Sequence, residues 1–179
     1  MSEYRVPTRT EALGFLFETN CPKSVIEHCR TVSRVAVKIA ETFKRKGFNV
    51  DLHLVEVGAL LHDIGRAKTH KVDHGIIGGE IARTLGLSES IVQIIERHVG
   101  GGIPKKEAMK LGLPAKDYFP QTLEEKIVSY ADKRVEGLRT VPIEQALKAY
   151  AGSLYENHPA IERIKKLHKE ILGIVGDPL

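Results

Sequence analysis

Apolar residues recur along this chain at spacings of three and four, the period of an α-helix with one buried face. A first such stretch runs from about residue 8 to 19, with Leu13, Leu16 and Phe17 on one side. Asn20-Cys21-Pro22 opens the next, because proline suits a first turn, where its missing N–H removes no hydrogen bond. That second helix extends to about residue 46, and Val25, Cys29, Val32, Ala36, Ile39 and Phe43 form a single stripe along it. Gly47 stops it, since glycine takes the left-handed conformation that closes a helix. Asp51 then caps a third helix reaching about residue 63. Leu52, Leu54, Val55, Val57, Ala59, Leu60 and Leu61 leave that helix almost no polar face, which predicts a buried, central position.

Helices at about 76–85 and 89–98 follow, split by Gly86, with Ser88 as a cap. Residues 100–121 differ in kind. Three consecutive glycines, then Pro104, Gly112, Pro114 and Pro120, predict a loop holding one short helix at about 105–111. Thr122-Leu123-Glu124-Glu125 is a capping box that opens a helix to about residue 138. Two more are expected at about 142–156 and 159–174, each with proline early. No run alternates in the manner of a strand, and neither a repeat nor a linker divides the chain. The expectation is one all-α domain over residues 1–179, with a helical bundle core at about 22–140 and C-terminal helices at about 142–174 packing on it.

Composition narrows the function classes. A length of 179 residues suits one domain. At 42% apolar and 28% charged residues the chain is an ordinary globular mixture. Lys and Arg number 27 against 23 Asp and Glu, for a net charge of +4. That is too balanced for a nucleic-acid coat and compatible with anionic small molecules. No apolar run approaches the roughly 18 residues of a membrane span. Met1-Ser2-Glu3-Tyr4-Arg5 lacks the basic-then-apolar order of a secretory leader, so a cytoplasmic location is expected. Cys21 and Cys29 form no Cys-x-x-Cys pair and are expected as reduced thiols.

The eight histidines change the picture, because histidine is the commonest metal ligand. His62-Asp63 stands at the end of the apolar third helix. Desolvating an imidazole and a carboxylate there costs free energy unless something compensates. A divalent cation would compensate both, and a capping Asp beside a core His would also explain the pair. His28 borders the stripe of the second helix, four residues before Val32; His98 falls four after Ile94, and Asp132 four after Val128. Each alone reads as a hydrogen-bonded core group rather than a ligand. Together, on four helices, they point to a metal site. Imidazole and carboxylate ligands without cysteine suit Fe, Mn, Zn, Ni or Co.

His28, then His62-Asp63-Ile64-Gly65, then Asp132 resembles the H…HD…D signature of the HD superfamily of phosphohydrolases, in its HDIG subgroup, over about residues 24–137. The resemblance implies an all-α fold and a metal-dependent phosphohydrolase. Such an enzyme hydrolyses a phosphate ester or anhydride of a nucleotide-type substrate through metal-bound hydroxide. His74 and His98, in order between the pair and the final Asp, extend the likeness to two-metal members such as the bacterial diadenosine tetraphosphate hydrolases and the HD-GYP phosphodiesterases. On that likeness His28, His62, Asp63 and Asp132 would hold a first ion, and Asp63 would bridge to a second held by His74 and His98. No GYP motif is present, which argues against cyclic dinucleotides, and the glycine- and proline-rich insert lengthens the gap before Asp132.

Asp63 and Arg66 are the expected catalytic residues. Arg66 has two readings: a bidentate phosphate contact, or a cation meeting the C-terminal end of the helix dipole. Lys133 ranks lower, because neighbouring helical positions point about 100° apart. His53, His70, His158 and His168 read as surface, capping or structural groups, with residues 68–71 also placed to line a substrate entrance. Lys105 and Lys106 read as solvated charges. The expected partner is a small phosphorylated, nucleotide-type molecule; RNA is compatible but not indicated, and no membrane is involved. Two alternatives stay open. One is a mononuclear nucleotidase in which His74 and His98 bind substrate. The other is a module that binds a nucleotide or RNA without turnover.

Overall fold

A computed structural model describes residues 4–155 and 157–176. The fold is built from α1 (Arg9–Glu18), α2 (Lys23–Arg45), α3 (Leu52–Leu61), α4 (His74–Thr84), α5 (Glu89–Arg97), α6 (Lys105–Lys110), α7 (Leu123–Lys133), α8 (Ile143–Ser153) and α9 (Pro159–Val175). No described helix is long and apolar enough to cross a membrane.

The apolar girth of α3 has a direct structural cause: it lies between two cores. Val55 and Ala59 face a core shared with α2, α7, α8 and α9. Val57, Leu60 and Leu61 face another, shared with α1, α4, α5 and the start of α2. The stripe of α2 is buried throughout, from Val25 to Phe43. From the last two helices Ile143, Ala146, Ile164, Leu167, Ile171 and Val175 join the first of these cores.

Several local expectations are corrected. Strand is present among the described residues: α7 stops at Lys133 instead of 138, and β1 (Val135–Glu136) pairs antiparallel with β2 (Arg139–Thr140). Gly137 takes φ +58 in the tight turn between them. Arg134 anchors the exit from α7 by donating to the Val141 carbonyl at 2.8 Å and to the Tyr130 hydroxyl at 2.7 Å. Strands of two residues are too short for alternation to be visible. Phe17 is 65% exposed, because the short α1 docks through Ala12 and Leu16. Ser88 occupies the cap position of α5, but its hydroxyl meets Ser90 instead of the helix backbone.

The expected box at Thr122 forms only by half. The Thr122 hydroxyl accepts from the Glu125 N–H at 3.2 Å, whereas the Glu125 carboxylate receives Gln121 N–H at 2.8 Å and Arg97 at 3.0 and 3.1 Å. A complete box caps α1 through Thr8 and Glu11. The expected helix end at Glu156 and the leader reading at residues 1–3 lie outside the described residues.

Glu125 therefore ties the last residue of α5 to the start of α7, and His98 follows directly in the chain. Glu125→Ala strands a largely buried guanidinium and should cost about 1–3 kcal/mol. A lower urea midpoint at unchanged m-value checks this.

The insert has a small core of its own, with Ile103, Ala108, Leu113 and Tyr118 packed against Val72, Ile76 and Val99. Gly101 and Gly102 adopt φ +69 and +104, and a Cβ on Gly102 would lie 2.6 Å from Phe119. The glycine tract thus lets the chain turn sharply after His98 and run close to α9.

Candidate metal centre

Helix ends converge on one point. His62 follows the last residue of α3, His74 begins α4, His98 follows α5, and Asp132 is next to last in α7. His28 reaches in from α2. The structure corrects one detail: α3 ends at Leu61, and His62-Asp63 lead into a separate 3-10 turn, Ile64–Ala67. The turn is forced where α4 crosses it, for an added Cβ on Gly65 would lie 1.9 Å from the His74 carbonyl oxygen. Arg66 stands on this turn and not on the end of a long helix, so the macrodipole account of it fails.

Three of the histidines are held in one orientation. His62, His74 and His98 each place Nδ1 2.7 Å from the backbone carbonyl three residues earlier, at Ala59, Lys71 and Ile95. A carbonyl only accepts, so Nδ1 carries a proton and Nε2 is the ring atom turned to the cluster.

The two carboxylates share one pattern. Asp63 gives Oδ2 to the Arg66 Nε–H at 2.6 Å and turns Oδ1 to His74 Nε2 at 3.2 Å and His98 Nε2 at 3.5 Å. Asp132 gives Oδ2 to Lys133 Nζ at 2.5 Å and turns Oδ1 to His28 Nε2 at 3.1 Å and His62 Nε2 at 3.4 Å. His62 Nε2 lies 3.7 Å from Asp63 Oδ2 and links the halves. Each half thus holds one carboxylate oxygen and two imidazole nitrogens. All six residues expected from the sequence meet here, with Asp63 nearer to His74 and His98 than to His62.

Electrostatics match this arrangement. Burial pushes the Asp63 carboxyl up, but the charge of His62 and the contacts from His74 and His98 hold it well below the ordinary carboxylate range. Burial acts likewise on Asp132, where the Lys133 ammonium and the contacts from His28 and His62 prevail and keep it ionised. Burial brings His98 down to about 4, so it is neutral.

Two observations test whether a cation fits. The buried His62 Nε2 and Asp63 Oδ1 have no hydrogen-bond partner. His74 Nε2 and His98 Nε2 approach to 3.2 Å, with Nδ1 of each ring already committed to a carbonyl. Both arrangements are unfavourable in a bare protein, and a divalent ion relieves both. The residues fit the group.

Two openings flank the cluster. A shallow one is lined by Ser24, Val25, His28, Asp63, Arg66 and His70, which puts His70 at an entrance. A cavity of about 260 Å³ opens at His74, His98, Asp132 and Lys133, with Arg66 on its wall as well. Lys133 corrects its low rank: its side chain is buried, with the ammonium on Asp132 and on the His98 carbonyl. His53, Lys105 and Lys106 are exposed. His158 caps α9, accepting from the Ala160 N–H at 3.2 Å, and His168 pairs with the Tyr130 hydroxyl at 2.9 Å. Cys21 and Cys29 are free thiols.

Comparison with known proteins agrees with the resemblance. The HD domain family model matches residues 25–135. An uncharacterized protein of Methanocaldococcus jannaschii is 50% identical over 155 residues, which is 87% of this chain and 92% of that protein. A tRNA (cytidine(56)-2′-O)-methyltransferase of Picrophilus torridus is 43% identical over 97% of this chain, which spans only 49% of that relative's length. Ribonuclease Y of Acidothermus cellulolyticus is 37% identical over 51% of this chain and 18% of its own. The crystal structure of the HD domain of the L. monocytogenes phosphodiesterase PgpH shares the fold, with a TM-score of 0.54 and 19% identity over 90% of this chain and 95% of that one. With its signature pair at His62-Asp63, this chain belongs to the HD domain family.

Proposed function

We propose that this protein is a metal-dependent phosphohydrolase that cleaves a phosphate ester or anhydride of a nucleotide-type substrate. In this reading His28, His62, Asp63, His74, His98 and Asp132 hold one or two divalent ions. The observation that carries it is the buried cluster with its unpartnered His62 Nε2 and Asp63 Oδ1. When bound, divalent ions supply positive charge to the phosphoryl oxygens and make a coordinated water acidic enough to attack phosphorus near neutral pH.

The chain's own groups do the rest. The Nδ1–H bonds to Ala59, Lys71 and Ile95 keep three imidazoles aimed. Arg66 and Lys133 each steady one carboxylate and stand on the cavity wall, where both cations meet the substrate phosphate. Apolar walls beyond them limit the water around the phosphate and strengthen these contacts.

A substrate derived from RNA is favoured by one observation: two of the named relatives are a ribonuclease and a tRNA-modifying enzyme. Methyl transfer is not assigned to this chain, which corresponds to about half of the methyltransferase. The test is a screen of mononucleotides, dinucleoside polyphosphates and short RNA, each with Mn, Co, Ni, Fe and Mg. The expected result is hydrolysis that needs one of these metals and disappears in Asp63→Ala. Binding without turnover under every metal would favour the non-catalytic module instead.

A further inference from the structure

One side of the 260 Å³ cavity wall, from Tyr150 to Arg163, lies beyond the region that the family model matches. Val72, Ile103 and Leu111 line it from the insert side, and Tyr150, Leu154 and Arg163 from α8, α9 and the segment between them. Leu111 and Leu154 remain 44% and 46% exposed, which leaves large apolar side chains uncovered where the cavity meets solvent. Glu107 of α6 and Arg163 of α9, both on the wall, clasp each other through two hydrogen bonds of 2.9 and 3.0 Å. Both Nη atoms of Arg163 are committed there. Its Nε–H is buried and has no acceptor among the described residues. Such a donor costs free energy that a ligand acceptor would offset.

The volume of about 260 Å³ lies just below the roughly 300 Å³ at which ligand cavities commonly begin. It suits one nucleoside-sized group and not a run of linked nucleotides. We propose that this cavity is a specificity pocket for the nucleoside of a terminal nucleotide. Its apolar walls cover the base, and the Arg163 Nε–H donates to an acceptor on the base. The phosphate lies at the end formed by His74, His98 and Lys133. The inference rests on the phosphohydrolase reading for the place of that phosphate, and the nucleotide is either free or the end of an RNA chain.

Calorimetric binding of AMP, GMP, CMP and UMP, compared with ribose 5-phosphate and inorganic phosphate, tests this. At least one nucleotide should bind about tenfold tighter than ribose 5-phosphate, the worth of one satisfied hydrogen bond. Arg163→Met should erase that preference and leave inorganic phosphate binding unchanged. Because Arg163→Met also opens the clasp, Leu154→Trp provides a second variant. It fills the pocket from a half-exposed position outside the apolar cores and should erase the preference as well.

A linear RNA ending in the preferred nucleotide should compete in proportion to its ends if strand termini are the source, and the free nucleotide should outcompete it if they are not. Nucleotides that bind no tighter than ribose 5-phosphate, or a circular RNA that competes as well as the linear one, would overturn the pocket. Hydrolysis of p-nitrophenyl phosphate without any nucleotide preference would overturn the pocket alone. A nucleotide preference erased by Leu154→Trp, with no phosphate ester hydrolysed, would support the pocket and overturn the phosphohydrolase reading.

Discussion

Gly65→Ala is expected to destabilise the protein by on the order of 4 kcal/mol or more, among the largest effects a single substitution has. The added methyl would stand 1.9 Å from the His74 carbonyl oxygen and 2.7 Å from the Gly78 N–H nitrogen. Both are backbone atoms of α4, so no side chain can swing aside. Relief requires α4 to move bodily away from the 3-10 turn, which carries His74 away from Asp63. Gly78 reinforces the approach from the other side, since a Cβ there would lie 3.1 Å from the Gly65 nitrogen. Gly152→Ala is the matched control: it sits inside α8 with nothing within 4 Å of the new methyl, and should stabilise by about 0.5–1 kcal/mol. Urea unfolding of the two variants separates a crowded backbone from a general intolerance of alanine.

Asp63→Ala should abolish phosphohydrolase turnover, by at least about a thousandfold, because roughly 4 kcal/mol of transition-state stabilisation goes with the ions it holds. The carboxylate serves both halves of the cluster. Oδ1 faces His74 and His98, and Oδ2 lies 3.7 Å from His62. Arg66→Ala should be milder. It frees Oδ2 of Asp63 and removes one cation from the cavity wall, while all six proposed ligands remain. A steady-state assay with the best metal and substrate ranks the two. Arg66→Ala should act mainly on KM and Asp63→Ala on kcat.

The sequence made some of this legible and hid the rest for identifiable reasons. The stripe of α2 and the all-round apolarity of α3 were readable because helical period and burial leave strong regular marks. His62-Asp63 was conspicuous because ionisable groups at the end of an apolar helix demand a partner. His28, His74, His98 and Asp132 became persuasive only together, since any one of them suits an ordinary core hydrogen bond.

What was hidden depends on contacts between distant residues. The end of α3 at Leu61 reflects a backbone crossing with α4 that a glycine permits and no periodicity records. Lys133 reaches the neighbouring Asp132 through a long side chain, whose reach a position on a helical wheel does not convey. Arg163 and Glu107 are 56 residues apart and look like ordinary surface charges until α6 and α9 meet.

Elemental analysis of divalent metal per chain tests the central claim most directly, on protein purified without chelator and then saturated and desalted. The account predicts bound divalent metal in the wild type, lost in Asp63→Ala and reduced in His74→Ala in proportion to the ion that His74 and His98 hold. A folded wild-type protein that retains no divalent metal, or an Asp63→Ala variant that retains the wild-type content, would contradict it.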